Sequence, residues 1–287
     1  MLIFGANGLL GQRLCPYLHS VGFQVFSAGR SELLNYTLDV MNAGSVKQLF
    51  DALKPDHVIN LIAATNVDQC EVDIAMASQA NLLIPATISK AAAASCADNI
   101  HLVQISTDQV YDGNGDHKET DVSPLNVYGL SKLAGELMMD QSRTAVLRTN
   151  FYGRSSLSSR PSFSDWIVNS LKSRREITLF KDVRFSALNI SSLCMIIHKT
   201  LISNLRGTYN VGSRNSISKA EFALALAAEL GLSTNSAKLG VLSDLTTKAR
   251  RPLDMTLNVR KLEEALGIQC PDIREEISKT AKEYINA

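Results

Sequence analysis

The chain has 287 residues, 45% of them hydrophobic and 20% charged, with a formal net charge of +1. Such a length supports a large core in one or two domains, and the near-neutral balance gives no electrostatic pull toward nucleic acid or an acidic membrane. Five scattered cysteines without a C-x-x-C pair argue against a disulfide framework or a zinc site and fit a reducing, cytoplasmic compartment. Met1 leads straight into a strand-like run, so no signal peptide is read. The nearest candidate for a membrane span, Leu193 to Ile202, is interrupted by His198 and Lys199.

Met1–Phe4 reads as a short apolar strand. It runs into Gly5-Ala-Asn-Gly-Leu-Leu-Gly11 and then a helical pattern of Leu10, Leu14, Tyr17, Leu18 and Val21, where Pro16 is expected to kink the helix. Glycines at three-residue spacing between strand and helix allow a sharp turn, close approach to a phosphate and tight packing, with the helix N-terminus facing the anion. The next strand, Phe23 to Ala28, ends in Gly29-Arg30-Ser31 without an acid to hold a ribose hydroxyl. Arg30 and Ser31 suit a 2′-phosphate instead, which favours NADP over NAD, although a surface arginine would look the same. Leu38-Asp39-Val40 closes a short strand, with Asp39 placed either to accept from an adenine amino group or to cap the next segment.

A helix runs from Ala43 to Leu53, then a buried strand His57–Ile62 ends in Ala63-Ala64-Thr65, small enough for a cofactor to pass. Ala75–Ala97 is an alanine-rich helix bent at Pro85, in which Asn81 needs a hydrogen-bond partner if buried. His101–Ser106 is an interior strand, and Val127–Met139 a helix on which Tyr128 and Lys132 share one face. A lysine charge one turn away is expected to pull the tyrosine pKa down from about 10, and Thr107 adds a hydroxyl for the same substrate oxygen. The same spacing describes an ordinary amphipathic helix with Lys132 solvated. Thr144–Asn150 is a further strand. The alternation implies an α/β fold with a doubly wound parallel sheet.

The second half is less regular. Ser155–Ser164 is loop-like, Asp165–Lys172 a helix holding Trp166, Phe185–Ile190 a strand followed by a helix to Ser203, and Gly207–Gly212 another strand. Ser218 and Glu221 have capping-box spacing before a helix to Leu230, and a last helix runs from Arg274 to Asn286. Residues 1–150, with 181–203 returning to them, are expected to form a Rossmann-type nucleotide-binding domain. Residues 151–180 and 204–287 are expected to form a smaller, interleaved α/β substrate lobe.

The glycine triad, Thr107 and the Tyr128/Lys132 pair fall in an order that resembles the extended short-chain dehydrogenase/reductases, most closely the dTDP-4-dehydrorhamnose reductase group. The resemblance is carried by Gly5–Gly11, Ala63-Ala-Thr-Asn-Val-Asp68, Ser106-Thr-Asp-Gln-Val-Tyr-Asp-Gly113, Pro124–Glu136, Arg148-Thr-Asn-Phe-Tyr-Gly153 and Arg251-Pro-Leu-Asp-Met255, nearly the whole chain. It implies hydride transfer from NADPH, with NAD as the alternative, to a nucleotide-linked 4-keto-6-deoxy sugar in deoxysugar or surface polysaccharide biosynthesis. Tyr128 would be the general acid, Lys132 its modulator and a ribose ligand, and Thr107 the carbonyl's hydrogen-bond partner. Gly5, Asn7, Gly8, Leu9 and Leu10 would line the pyrophosphate. Arg30, Ser31, Asp39 and Val40 would border the adenosine, and Ala63, Ala64 and Asn81 the cofactor's path. Thr65, Val67, Asn150, Trp166, Arg184 and Arg251 are candidates for the sugar nucleotide, and no metal is implied. Relatives commonly form homodimers, but no interface stretch is evident.

Sugar nucleotide dehydratases place Asp-Glu after the threonine. Here Asp108-Gln109 stands there, and glutamine cannot act as a base. Asp182-Val183 and Ser186-Ala187 replace the family's Asp-Gln and Pro-Thr, which leaves the sugar open. A sugar nucleotide epimerase is an alternative. So is a non-catalytic NADP-binding regulatory subunit like that of methionine adenosyltransferase, which resembles this family.

Overall fold

The computed structural model describes residues 1–97, 99–157 and 160–286. Seven strands make one parallel sheet: β1 (Leu2–Phe4), β2 (Phe26–Gly29), β3 (Tyr36–Thr37), β4 (His57–Asn60), β5 (His101–Thr107), β6 (Thr144–Thr149) and β7 (Gly207–Val211). Their order across the sheet is β7-β6-β5-β4-β1-β2-β3, and every neighbour pairs in parallel. Both faces are covered, as parallel sheets require. Alternate residues serve opposite cores: Ile3, Ile59, Val103 and Leu147 point to the layer with Leu14, Leu193 and Ile197, whereas Leu2, Phe4, Val58 and Leu102 meet Val46, Phe50 and Ile88.

A third core belongs to a smaller lobe. It unites Tyr152, Ile167, Phe185, Phe222, Met255 and Ile277 under short sheets. Arg184–Phe185 pairs with Ile217–Ser218 and with Asp254–Met255, and Ile177–Phe180 pairs in parallel with Ala237–Gly240. The C-terminal helix, Ile273–Ile285, closes this lobe and reaches back: Glu276 accepts from the Asn189 N–H (2.7 Å) and the Ser192 hydroxyl (2.7 Å). No helix among the described residues is long and apolar enough to cross a membrane, and all five cysteines are free.

Several expectations change. Gly207–Val211, expected in the lobe, is the edge strand β7 of the large sheet. The strand expected at Leu38–Val40 lies earlier, at Tyr36–Thr37. The helix Gly11–Ser20 continues through Pro16. Phe185–Ile190 is not one strand: Arg184–Phe185 and Leu188–Asn189 join different sheets, and Asn189 caps the helix Ile190–Ile202. The expected helix Ala75–Ala97 divides into Ile74–Ser78, a π turn Gln79–Leu83 and Ile84–Ala94. Pro85 then falls in the first turn of the last segment, where its missing N–H costs nothing.

Candidate active site

The sheet order reverses between β1 and β4, and ligands of such sheets lie at the carboxyl ends of the strands beside that point. The glycine turn leaves β1 there. Gly5 has φ +82°, and a Cβ on it would stand 3.0 Å from the Ile62 nitrogen. Gly8 donates its N–H to the Gly5 carbonyl (3.0 Å), and a Cβ on Gly11 would sit 2.4 Å from the Ala6 carbonyl oxygen. The helix Gly11–Ser20 opens at Leu10 without a side-chain cap; the Gln12 and Arg13 N–H groups bond to the Gly8 and Leu10 carbonyls (3.1 Å each), and the positive end of the helix dipole faces the turn. The turn therefore fits a dinucleotide pyrophosphate through backbone groups. Leu10 itself is buried. Arg160, which the sequence did not single out, donates to the Asn7 carbonyl (3.5 Å) and so reaches the same turn.

Arg30 and Ser31 follow β2; Arg30 is exposed, and the Ser31 hydroxyl accepts from the Leu33 N–H (3.3 Å). Asp39 accepts from the Met41 N–H (3.0 Å), closing a local turn. The cap of the next helix is Asn42, not Asp39, and Val40 is buried. Asn81 lies in the π turn and is bonded through both ends of its amide. Its Oδ1 accepts from the Ala64 N–H (2.9 Å), and its Nδ2 donates to the Ala64 carbonyl (3.1 Å) and Ser131 hydroxyl (3.0 Å). Its amide positions the Ala63-Ala64 turn; both Nδ2 protons are taken, and Oδ1 keeps one lone pair.

The helix Val127–Leu137 carries Tyr128, Lys132 and Glu136 on one face. Two glycines press it into place: a Cβ on Gly129 would stand 2.3 Å from the Gln109 carbonyl oxygen, and one on Gly135 1.9 Å from that of Asn81. Tyr128 is buried beside Val67, Cys70, Ala77 and Ala249. Burial pushes its phenol up to about 12, against a smaller downward pull from the Thr107 hydroxyl. The expected lowering by Lys132 does not occur. Lys132 is itself buried, donates to the Ile105 carbonyl (2.7 Å) and is held down to about 8 by desolvation. Tyr128 thus keeps its proton at neutral pH, the form a proton donor needs. Beneath them Arg148 forms a buried ion pair with Glu136 (2.7 Å), reinforced by the Ser106 hydroxyl on Glu136 and by Tyr111 on Arg148 (2.8 Å).

Thr107, at the end of β5, also donates to Asp108 (3.3 Å) and accepts from the Gln109 N–H (3.2 Å). Asp108 is buried, and desolvation raises its carboxyl to about 6. Asn150 donates to its other oxygen (2.7 Å), which places Asn150 beside Thr107 and Tyr128. Gln109 accepts from Asn126 (3.3 Å). Thr65 is exposed at the loop after β4, but Val67 is buried under Tyr128 and belongs to the core rather than the rim. Trp166 is half exposed and stacks near Phe163, with ring centroids 6.1 Å apart. Arg251 is tied to Asp68 (2.7 Å), with its Nε buried and unpartnered. Arg184 donates to the Ser216 carbonyl (2.8 Å) and faces Glu221 (3.7 Å), and none of these partners belongs to the Thr107–Tyr128 cluster. Asp108 stands inside the Ser106-Thr-Asp stretch, so its sequence position pointed to it. Arg160 carries no local signal.

Residues 1–286 match the family described as the RmlD substrate binding domain. The chain is 30% identical to the spore coat polysaccharide biosynthesis protein SpsK of Bacillus subtilis, covering 100% of this chain and 98% of that protein. It is 29% identical to the dTDP-4-dehydrorhamnose reductase of Aggregatibacter actinomycetemcomitans, over 95% of each. The crystal structure of the Bacillus anthracis dTDP-4-dehydrorhamnose reductase in complex with NADP superposes with a TM-score of 0.86 at 26% identity, over 100% of this chain and 98% of that one. The chain belongs to the RmlD substrate binding domain family.

Proposed function

We propose that this protein is an NADPH-dependent reductase of a nucleotide-linked 4-keto-6-deoxy sugar, acting in the cytoplasm in deoxysugar or surface polysaccharide biosynthesis. The observation that carries the reading is the meeting of Tyr128, Thr107 and Lys132 at the carboxyl end of β5, next to a glycine turn shaped for a pyrophosphate. NADPH bound along that turn supplies the hydride. Thr107 holds the carbonyl oxygen, and Tyr128 gives it a proton as the alcohol forms. Lys132, one turn away and anchored on the Ile105 carbonyl (2.7 Å), is the cation placed to hold the cofactor's ribose. Val67, Cys70 and Ala77 exclude water from one side of Tyr128. Gln109, without a titratable group, cannot serve the water elimination that a dehydratase needs.

The support for NADP over NAD is Arg30, exposed at the end of β2, with no acid between Phe23 and Arg30. The test is NADPH oxidation by the purified protein with dTDP-4-keto-6-deoxy sugars. Substrate-dependent oxidation that disappears in Tyr128→Phe is expected. NADPH bound without turnover on any keto sugar would return the reading of a regulatory subunit that acts on a partner enzyme.

A further inference from the structure

Two cavities adjoin where the helix Ile190–Ile202 runs beside the C-terminal helix Ile273–Ile285. The larger, of about 740 Å³, lies between those helices and the segment Ile268–Pro271. Small-molecule sites occupy roughly 300–1,000 Å³. Met195, Ile196, Ile268 and Pro271 give this cavity an apolar floor, and Lys199 and Arg274 stand on its border. The smaller, of about 450 Å³, is bordered by Arg13, Arg154 and Glu283. Lys279 and Lys282 line both. Basic side chains thus outnumber acidic ones here, in a chain whose 29 basic residues nearly balance its 28 acidic ones. The acids are already engaged. Glu276 accepts from the Asn189 N–H and the Ser192 hydroxyl (2.7 Å each), and Glu275 from the Asp272 N–H (3.3 Å). Glu283 accepts from the Arg154 N–H (2.8 Å) and faces Arg13 (3.3 Å). Lys279 gives one proton to the Ser192 hydroxyl (2.7 Å) and stands 3.9 Å from Glu276. Among the described residues Lys199, Arg274 and Lys282 make no ion pair. Lys279 and Lys282 are three apart on one helix, so they are neighbours that repel each other, and an anion between them offsets that repulsion.

We propose that these cavities form a second ligand site, which takes a small amphipathic anion. Lys279 and Lys282 bind its phosphate, sulfonate or carboxylate head, and an aromatic or acyl body lies on Met195, Ile196 and Ile268. The head belongs at the two lysines because they are the side chains common to both cavities. An ammonium has three protons to give, so Lys279 keeps donors after its bond to Ser192, and Lys282 is exposed. The body belongs in the larger cavity because the floor there is apolar; its burial drives binding, and the charge selects the ligand. The site joins the helix that covers the sheet to the helix that closes the lobe, two elements already linked through Glu276. None of its residues belongs to the Thr107–Tyr128 cluster, so the inference stands apart from the reductase reading.

The experiment titrates two fluorescent probes, anilinonaphthalene sulfonate and its neutral relative N-phenylnaphthylamine, into the full chain. Saturating NADPH keeps both probes from the dinucleotide turn, and urea midpoints check that each variant is folded. The variants are Lys282→Glu, Lys282→Gln and Met195→Glu. Lys90→Glu is the control, an exposed lysine on the helix Ile84–Ala94 that covers the other face of the sheet. Wild type is expected to bind the sulfonate saturably and about tenfold more tightly than the neutral amine. Lys282→Glu is expected to lose about tenfold on the sulfonate and nothing on the amine, and Lys282→Gln a smaller part of the same preference. Met195→Glu, which puts a charge on the apolar floor, is expected to weaken both probes, and Lys90→Glu neither. Absence of saturable binding, equal affinity of wild type for the two probes, a Lys282→Glu protein indistinguishable from Lys90→Glu, or a Met195→Glu protein that binds both probes as wild type does would each overturn the inference. Should Lys282→Glu lower the urea midpoint, Lys282→Gln decides: a loss confined to the sulfonate supports the site, and no loss or an equal loss on both probes overturns it.

Discussion

The two sides of the candidate site are built by opposite means. On the sheet side, Thr107, Tyr128 and Lys132 come from one continuous strand–loop–helix passage, locked by Gly129, Gly135 and the buried Glu136–Arg148 pair. On the lobe side, Trp166, Arg184 and Arg251 come from distant segments, with Arg184 on a strand of two residues that pairs with Ile217–Ser218 and Asp254–Met255. The first side tolerates little, because each part is held by several others. The second is assembled from pieces that can change singly. On the proposed function, chemistry sits where geometry is overdetermined, and substrate choice where it is not.

That contrast can be broken by measurement. The largest effect is expected from Tyr128→Phe, which removes the proton donor and should lower kcat by about 10²–10⁴-fold with NADPH binding kept; steady-state kinetics check it. Glu136→Ala leaves Arg148 charged and buried without its partner, and should cost about 3–5 kcal/mol in urea denaturation. His101 is buried at the start of β5, and burial holds its imidazole down to about 4. The folded protein therefore keeps it neutral while the unfolded chain protonates it below about 6.5. Its contribution is complete above pH ~6.5 and is lost as pH falls toward ~4, up to about 3 kcal/mol. Urea titrations at pH 7 and pH 5 should show a smaller difference in His101→Asn than in wild type. On the lobe side, Trp166→Ala should raise KM for the sugar nucleotide by about tenfold with kcat and stability nearly unchanged. A large loss of stability there would mean that the lobe side is as overdetermined as the sheet side.

Legibility in the sequence follows the same divide. The strands at Leu2, His57, His101 and Thr144 were readable because each is a short apolar run flanked by turn formers, and Tyr128 and Lys132 because helical spacing is local. The capping box at Ser218 was readable for the same reason. The lobe's paired strands were not: Ile177–Phe180 meets Ala237–Gly240 across sixty residues of chain and, at four residues, is too short for its alternation to stand out. Gly207–Val211 was recognised as a strand but placed in the wrong body, since nothing local tells which sheet it joins. The direction of the Tyr128 shift was missed because spacing reveals the neighbouring lysine but not the burial that outweighs it.

The C-terminal helix has a consequence for how the protein is made. Glu276, Thr280 and Glu283 supply the partners of Asn189, at the start of the helix Ile190–Ile202 that covers one face of the sheet. A ribosome delivers those residues after every strand of the sheet and every other element of the lobe. Throughout translation the nascent chain therefore carries a nearly complete sheet whose covering helix lacks its anchor, beside an apolar lobe core without its closing element. Both bodies reach their final state only once Ile273–Ile285 has emerged, and until then the exposed apolar surface is the natural ground for a chaperone.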